Sequence, residues 1–280
     1  MHAGFQTEVM KTELQSAEDL AVRAGAILLK HYGQRTTVAW KGKNDPVTAA
    51  DLEASSFIVG ELRTLFPGDA ILCEEEKDDL RRLSNPRVWV IDPMDGTKEF
   101  IAGRGEFVVM IGLAIDGEAR LGAVYQPTED KLYSGTVGNG AYLAHKGVRK
   151  QLHVSTQTDP ARATMALSRS HLSSNTEAIR SHLGIQRSVQ IGSIGIKVGL
   201  VCEGLAEVYV QGRGTSLWDT CGPEAIIHAA GGRMTDATGQ PFRYNVEDVK
   251  NVRGVVATNS LLHDRAVQAA IAVTRQSGGR

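Results

Sequence analysis

The sequence predicts a mixed α/β protein, with an α+β first half followed by an α/β second half. Three observations carry this expectation. Two amphipathic helical patterns open the chain, strand-like runs separated by turn signals occupy 107–142, and strands then alternate with helices from about residue 164. The change of pattern falls at Gln157-Thr158-Asp159-Pro160, so the expected halves are 1–155 and 156–280.

Each element has a local reason. Ser16 followed by Asp19 has the form of a capping box, Leu20, Ala24, Ile27 and Leu28 recur at helical spacing, and Gly33 is a C-terminal stop. A strand over 36–41 follows. Thr48 and Asp51 open a second helix by the same box logic, with Leu52, Ser56, Val59, Leu62 and Phe66 down one side until Pro67-Gly68 breaks it. Short apolar runs at 70–73 and 88–91 read as strands, and each ends in an acid. Asp116-Gly117, Gln126-Pro127 and Gly138-Asn139-Gly140 punctuate an antiparallel meander. Beyond the boundary come a strand at 164–167, helices at 174–183 and 193–204, a strand at 207–210 and a helix at 219–230.

Composition narrows the function. A chain of 280 residues, 42% apolar and 22% charged, can bury a substantial core. Thirty-one Lys and Arg against 32 Asp and Glu leave a net charge of -1, so no global positive field holds a nucleic acid or an anionic membrane. Cys73, Cys202 and Cys221 form no C-x-x-C pair, which fits a reducing, cytoplasmic setting rather than a disulfide frame or structural zinc. No signal peptide is read in residues 1–15, and the longest apolar stretch, 107–115, falls far short of the ~20 residues that span a bilayer.

The most informative stretch is Val90-Ile91-Asp92-Pro93-Met94-Asp95-Gly96-Thr97. A buried strand ends here in two carboxylates three positions apart, a stiffening proline, and a Gly-Thr able to expose backbone N–H groups. Hard divalent cations take such oxygens, and successive N–H groups take a phosphate. The ordinary alternative is a turn whose acids cap a following helix. Glu74-Glu75-Glu76, Asp51 and Trp218-Asp219 have equally ordinary readings, as a solvated charge run and as helix caps.

Together and in this order, Asp51, Glu74-Glu75, Asp92-Pro93-Met94-Asp95-Gly96-Thr97 and Trp218-Asp219, with eleven residues before Gly231-Gly232, resemble the signature of the inositol monophosphatase superfamily. These are lithium-sensitive, Mg²⁺-dependent phosphatases, and the resemblance covers about 16–258. It implies the sugar-phosphatase fold, a layered αβαβα sandwich with two or three Mg²⁺ per site. Glu74, Asp92 and the Met94 carbonyl would hold one ion; Asp92, Asp95 and Asp219 would hold a second. Thr97, oriented by Asp51 or Glu74, would position the attacking water, and the amides of Gly96 and Thr97 would cradle the phosphate.

Within the superfamily, Lys98-Glu99-Phe100 after Thr97, Asp45-Pro46-Val47-Thr48, Ser168-Arg169-Ser170-His171 and Gly192-Ser193 with Lys197 are similar to the 3'(2'),5'-bisphosphate nucleotidases. Those enzymes clear adenosine 3',5'-bisphosphate made during sulfur assimilation. Such a substrate needs a second anion pocket, and Lys41, Ser170, His171, Ser193, Lys197 and Arg213 are the expected substrate-side residues. Two departures bear on the substrate. Gln211-Gly212-Arg213-Gly214 lacks the Glu that inositol-type members place before Trp-Asp, and Gln211 stands where nucleotidases tend to carry Arg, leaving that task to Arg213. A phosphatase for inositol 1-phosphate or another sugar phosphate is the alternative, and a regulatory RNA- or polymerase-binding relative a third. The expected partner is a small phosphate ester, with no nucleic acid or membrane. Relatives occur as monomers and as dimers, so a homodimer stays open.

Overall fold

The computed structural model describes residues 10–34, 38–42, 45–170, 172–212 and 214–278. Its first helix, α1 (Lys11–His31), buries Ala17, Leu20, Ala21, Ala24 and Leu28 on one stripe. It begins a turn earlier than the expected Ser16 cap, with Met10 as an N-cap that makes no side-chain bond. Tertiary partners outweigh the local box: Glu13 is buried and pairs with Arg87 at 2.9 Å, while Asp19 pairs with Arg23 one turn on at 3.1 Å.

A short hairpin, β1 (Val38–Gly42) and β2 (Asp45–Thr48), leads into α2 (Ala49–Leu65). Residues 36 and 37 of the expected strand lie outside the described residues. The box at Thr48 and Asp51 forms as expected, with the Thr48 N–H donating to Asp51 Oδ2 at 2.7 Å. Val59 and Leu62 are buried as expected, but the first turns of α2 bury a different face from the expected one. Ala50, Ala54, Ser55 and Ile58 face inward and Leu52 and Ser56 face out, because the small side chains let α2 pack against α1.

A seven-stranded sheet runs β3 (Ala70–Cys73), β4 (Arg87–Asp95), β5 (Val108–Ile115), β6 (Glu118–Gln126), β7 (Lys131–Thr136), β8 (Gly140–His145), β9 (Val148–Leu152) in spatial order. Only β3 and β4 pair in parallel; the rest form the expected meander. A five-stranded sheet has the order β11 (Arg187–Ile191), β10 (Thr164–Ser168), β12 (Val208–Gln211), β16 (Val255–Thr258), β14 (Arg233–Thr235). Strands β13 (Thr215–Ser216) and β15 (Lys250–Asn251) pair separately.

The helices complete five layers, α/β/α/β/α. Helices α1 and α2 cover one face of the large sheet. Helices α5 (Ile194–Cys202) and α6 (Leu217–Ala229) lie between the two sheets, and α4 (Ser174–Leu183) with α7 (His263–Gly278) covers the outer face of the small one. The middle core draws on both sheets, from Val90 and Val108 to Ala166 and Tyr209. Among the described residues, no helix is long and apolar enough to cross a membrane.

The crossing of α6 over the large sheet is unusually close. Gly112 and Gly122 are cross-strand partners, and a Cβ at Gly112 would lie 2.6 Å from the Gly222 nitrogen and 2.7 Å from Cys221 Sγ. One at Gly122 would strike the Gly222 carbonyl. Backbone thus meets backbone with nothing soft to yield. Gly122→Ala should destabilise the fold by about 2 kcal/mol by prising α6 off the sheet, read as a lower denaturant midpoint. An unchanged midpoint would contradict this packing.

Glu224, on the same helix, is buried and accepts from the Tyr244 hydroxyl at 2.5 Å. Burial pushes its carboxyl up from 4.5 to about 8. The folded state therefore binds the proton more tightly than the unfolded one, and stability declines as pH rises from 4.5 through about 8. Glu224→Gln, unable to ionise, should gain about 2 kcal/mol or roughly 5 °C in Tm above pH 8, with the gain vanishing below pH 4.5. Parallel Tm–pH curves for the two proteins would refute it.

Candidate functional site

Three segments bring acids to one place. Strand β4 buries Val88 to Ile91, carries Asp92 next and ends at Asp95. The ladder with β5 then breaks register between Asp92 and Asp95, and Asp92 Oδ1 accepts from the Met94 N–H at 2.9 Å. Gly96 takes φ +107°, and a Cβ there would lie 2.6 Å from the Glu106 carbonyl oxygen, so only glycine closes this turn. The short helix α3 (Thr97–Ile101) follows with Gly96 as N-cap and no side-chain cap, so neither aspartate is spent on capping it.

Asp219 arrives from the other half. It stands third in α6 and closes a capping box with Ser216, whose N–H donates to Asp219 Oδ2 at 2.5 Å. Because α6 is pressed onto the sheet at Gly112 and Gly122, its first turn sits above the end of β4. Asp92, Asp95 and Asp219 offer carboxylate oxygens within 4.8 Å of one another. Glu74, beyond the end of β3, lies on the same cavity wall but outside this compact group.

The electrostatics follow from that convergence. Burial, then the neighbouring acids, holds the carboxyls of Asp92 and Asp219 well above the usual carboxylate range. Asp51 is raised to about 6 by burial, opposed by its bonds from Thr48. Hard oxygen donors gathered at this cost fit an oxygen-seeking divalent cation, whose charge would reverse the repulsion. The donor set contains no imidazole or thiolate that would favour a softer metal.

Thr97 joins the acids to Asp51. Its hydroxyl lies 3.2 Å from Asp51 Oδ1 and 3.2 Å from the Met94 carbonyl oxygen, so one proton serves either acceptor. The second half grips Asp95: Asp95 Oδ2 accepts from the Ser193 hydroxyl at 2.6 Å and from the Gly195 N–H at 2.9 Å, at the start of α5. Ser193 takes φ +55° to do so, a strained backbone retained where a side chain must be aimed.

The acids open into a cavity of about 580 Å³ lined also by Gly96, Thr97, Lys98, Glu99, Ser170, Ser193, Lys197, Gln211, Trp218 and Lys250. Lys197 is buried, with Nζ 5.3 Å from the centre of the Tyr209 ring. Burial lowers its ammonium to about 8 against the pull of Asp95, Glu99, Glu106 and Asp219.

Two expected phosphate donors are committed elsewhere. The Ser193 proton goes to Asp95, and the Ser170 hydroxyl donates to Glu99. Both serines line the cavity, but with lone pairs rather than donors. The side chain of Lys41, and all of His171 and Arg213, lie outside the described residues. Glu99 and Lys250 were not among the residues expected from sequence. Glu99 had a signal, two positions after Thr97. Lys250 had none, since only the pairing of Ser216 with Lys250 brings it in, where its ammonium donates to Ser216 Oγ at 3.0 Å.

Comparisons with known proteins agree with this geometry. Residues 10–276 match the profile of the inositol monophosphatase family. The 3'(2'),5'-bisphosphate nucleotidase CysQ of Escherichia coli O157:H7 is 38% identical over 228 residues, 80% of this chain and 91% of its own length. Inositol monophosphatase 3 of Solanum lycopersicum is 31% identical over 265 residues, 91% of this chain and 95% of its own. The crystal structure of CysQ from Bacteroides thetaiotaomicron superposes with a TM-score of 0.77 at 31% identity, covering 90% of this chain and 98% of that one.

Removing one charge from the group should relieve it. Asp95→Asn retains an acceptor for Ser193 and Gly195, so its metal-free Tm should rise by about 2–4 °C, while millimolar Mg²⁺ should raise it less than it raises the unmodified protein. Equal magnesium gains in both would remove Asp95 from the cation-binding set.

Proposed function

The chain belongs to the inositol monophosphatase family, and from that premise we propose that it is a Mg²⁺-dependent 3'(2'),5'-bisphosphate nucleotidase, converting adenosine 3',5'-bisphosphate to AMP and phosphate. The observation that carries the reading is that the converged Asp92, Asp95 and Asp219 line a cavity whose wall also includes Lys98, Lys197 and Lys250. One phosphate fits the acids through cations, and the other fits the ammonium groups.

Glu74, Asp92, the Met94 carbonyl, Asp95 and Asp219 are the groups that would hold two or three Mg²⁺. Bound there, magnesium supplies charge for the phosphate oxygens and acidifies water. The remaining work falls to the chain. Thr97 Oγ1, giving its proton to Asp51 Oδ1, turns a lone pair toward the attacking water and accepts that water's proton. Ser193 and Gly195 fix Asp95, and the Ser216 N–H fixes Asp219, so the acids do not reorganise as charge builds. The Gly96 and Thr97 amides would receive the phosphate. Water's oxygen forms the new bond to phosphorus, the bond to the ribose oxygen breaks, and the departing oxygen takes up a proton from solvent, balanced by the one that the attacking water loses to Asp51 through Thr97.

The 31% identity to an inositol monophosphatase over 91% of the chain favours a second reading, hydrolysis of inositol 1-phosphate. Three buried free cysteines suit a reducing cytoplasm, and a net charge of -1 suits a small ester over a nucleic acid. The test is phosphate release from adenosine 3',5'-bisphosphate, inositol 1-phosphate and fructose 1,6-bisphosphate. A kcat/KM at least about tenfold higher for the nucleotide is expected, with inhibition by lithium at a magnesium position. Preference for the inositol ester would overturn the substrate assignment, and insensitivity to lithium the assignment to this group of phosphatases.

A further inference from the structure

The cavity has one corner whose chemistry runs against a phosphate. Glu99, on α3 two residues after Thr97, is buried yet lines the cavity, and it accepts the Ser170 hydroxyl. Its seat is built for it: a Cβ at Gly192 would strike Glu99 Cγ and lie 2.8 Å from its Cδ. A carboxylate, and a hydroxyl that has given its proton to that carboxylate, have only lone pairs to offer. Neither can bind an anion. Both can take an N–H or O–H.

We infer that Glu99 is a specificity-determining residue, and that Glu99 and Ser170 form an acceptor-only corner which recognises a hydrogen-bond donor, a ribose hydroxyl or an exocyclic amine, on the uncharged part of the substrate. The inference rests on reading the site as a nucleotide phosphatase. It divides the cavity: acids and cations take the reacting phosphate, the lysines take the second, and the corner takes the neutral portion. A polar corner rejects an analogue lacking the donor because its lone pairs are then stripped of water with no partner.

The test compares kcat and KM for adenosine 3',5'-bisphosphate with its 2'-deoxy analogue and with the inosine compound, in the unmodified protein, Glu99→Gln and Ser170→Ala. The unmodified protein should disfavour at least one analogue by about tenfold, through KM. Glu99→Gln keeps the shape against Gly192 but puts an amide donor in the corner, and should shrink that discrimination to within about twofold, through KM rather than kcat. Should that variant fail to fold, Ser170→Ala removes one of the two acceptors and should lower the discrimination by itself. Equal treatment of all three nucleotides by the unmodified protein, undiminished discrimination in the variants, or an equal fall in kcat on every substrate would each overturn the role. A protein that ignores nucleotides and hydrolyses inositol 1-phosphate would overturn only the substrate assignment. The corner is then tested with that ester and its deoxy analogues, for which the same loss of discrimination is expected.

Discussion

Like charges held within 4.8 Å of one another in a partly desolvated site repel, and the rest of the molecule exists to hold Asp92, Asp95 and Asp219 there. The restraining force is close packing. Helix α6 meets the large sheet along the glycine pair Gly112 and Gly122, so the backbones of helix and strands touch directly. Bulkier residues at either position would lift Asp219 away from the end of β4, relieving the repulsion and dismantling the site together. The absence of side chains at those two positions is therefore as much a part of the acidic cluster as the carboxylates.

A second device holds the acids in aim. Asp95 receives two donors from the start of α5, Asp219 receives one from its own capping box, and Asp92 receives one from the turn it begins. For Asp92 and Asp219 the backbone N–H stabilises the charged form that burial opposes. The bonds to Asp95 also tie β4 of the large sheet to the start of α5, which lies between the two sheets. An acid anchored across the seam ties the integrity of the site to the packing of the core.

Much of this was legible in the sequence, and the limits have physical causes. The box at Thr48 and Asp51, the meander and the acids that end β3 and β4 depend on neighbours within a few positions, where local chemistry decides. The start of α1 was misread because Glu13 finds its partner in Arg87, 74 positions away. The face of α2 follows the pattern at Val59 and Leu62 but departs from it at Leu52 and Ser56, because small residues, which carry little hydrophobic signal, make the close helix contact there. Lys250 entered the cavity through a two-residue strand pairing that no periodicity announces. Residue type places a group near a site, but only the partner of each proton says what that group can do.

That last point decides how the cavity should be understood. Serine beside a phosphate site is ordinarily counted as a donor, and by that count Ser170 and Ser193 would both serve the substrate's charge. The structure commits both protons to carboxylates, Glu99 and Asp95, and so converts two apparent anion donors into acceptors. The cations of the cavity must then carry any second phosphate unaided by these hydroxyls. Lys197 is suited to this, since the surrounding acids favour its charge while burial beside Tyr209 works against it.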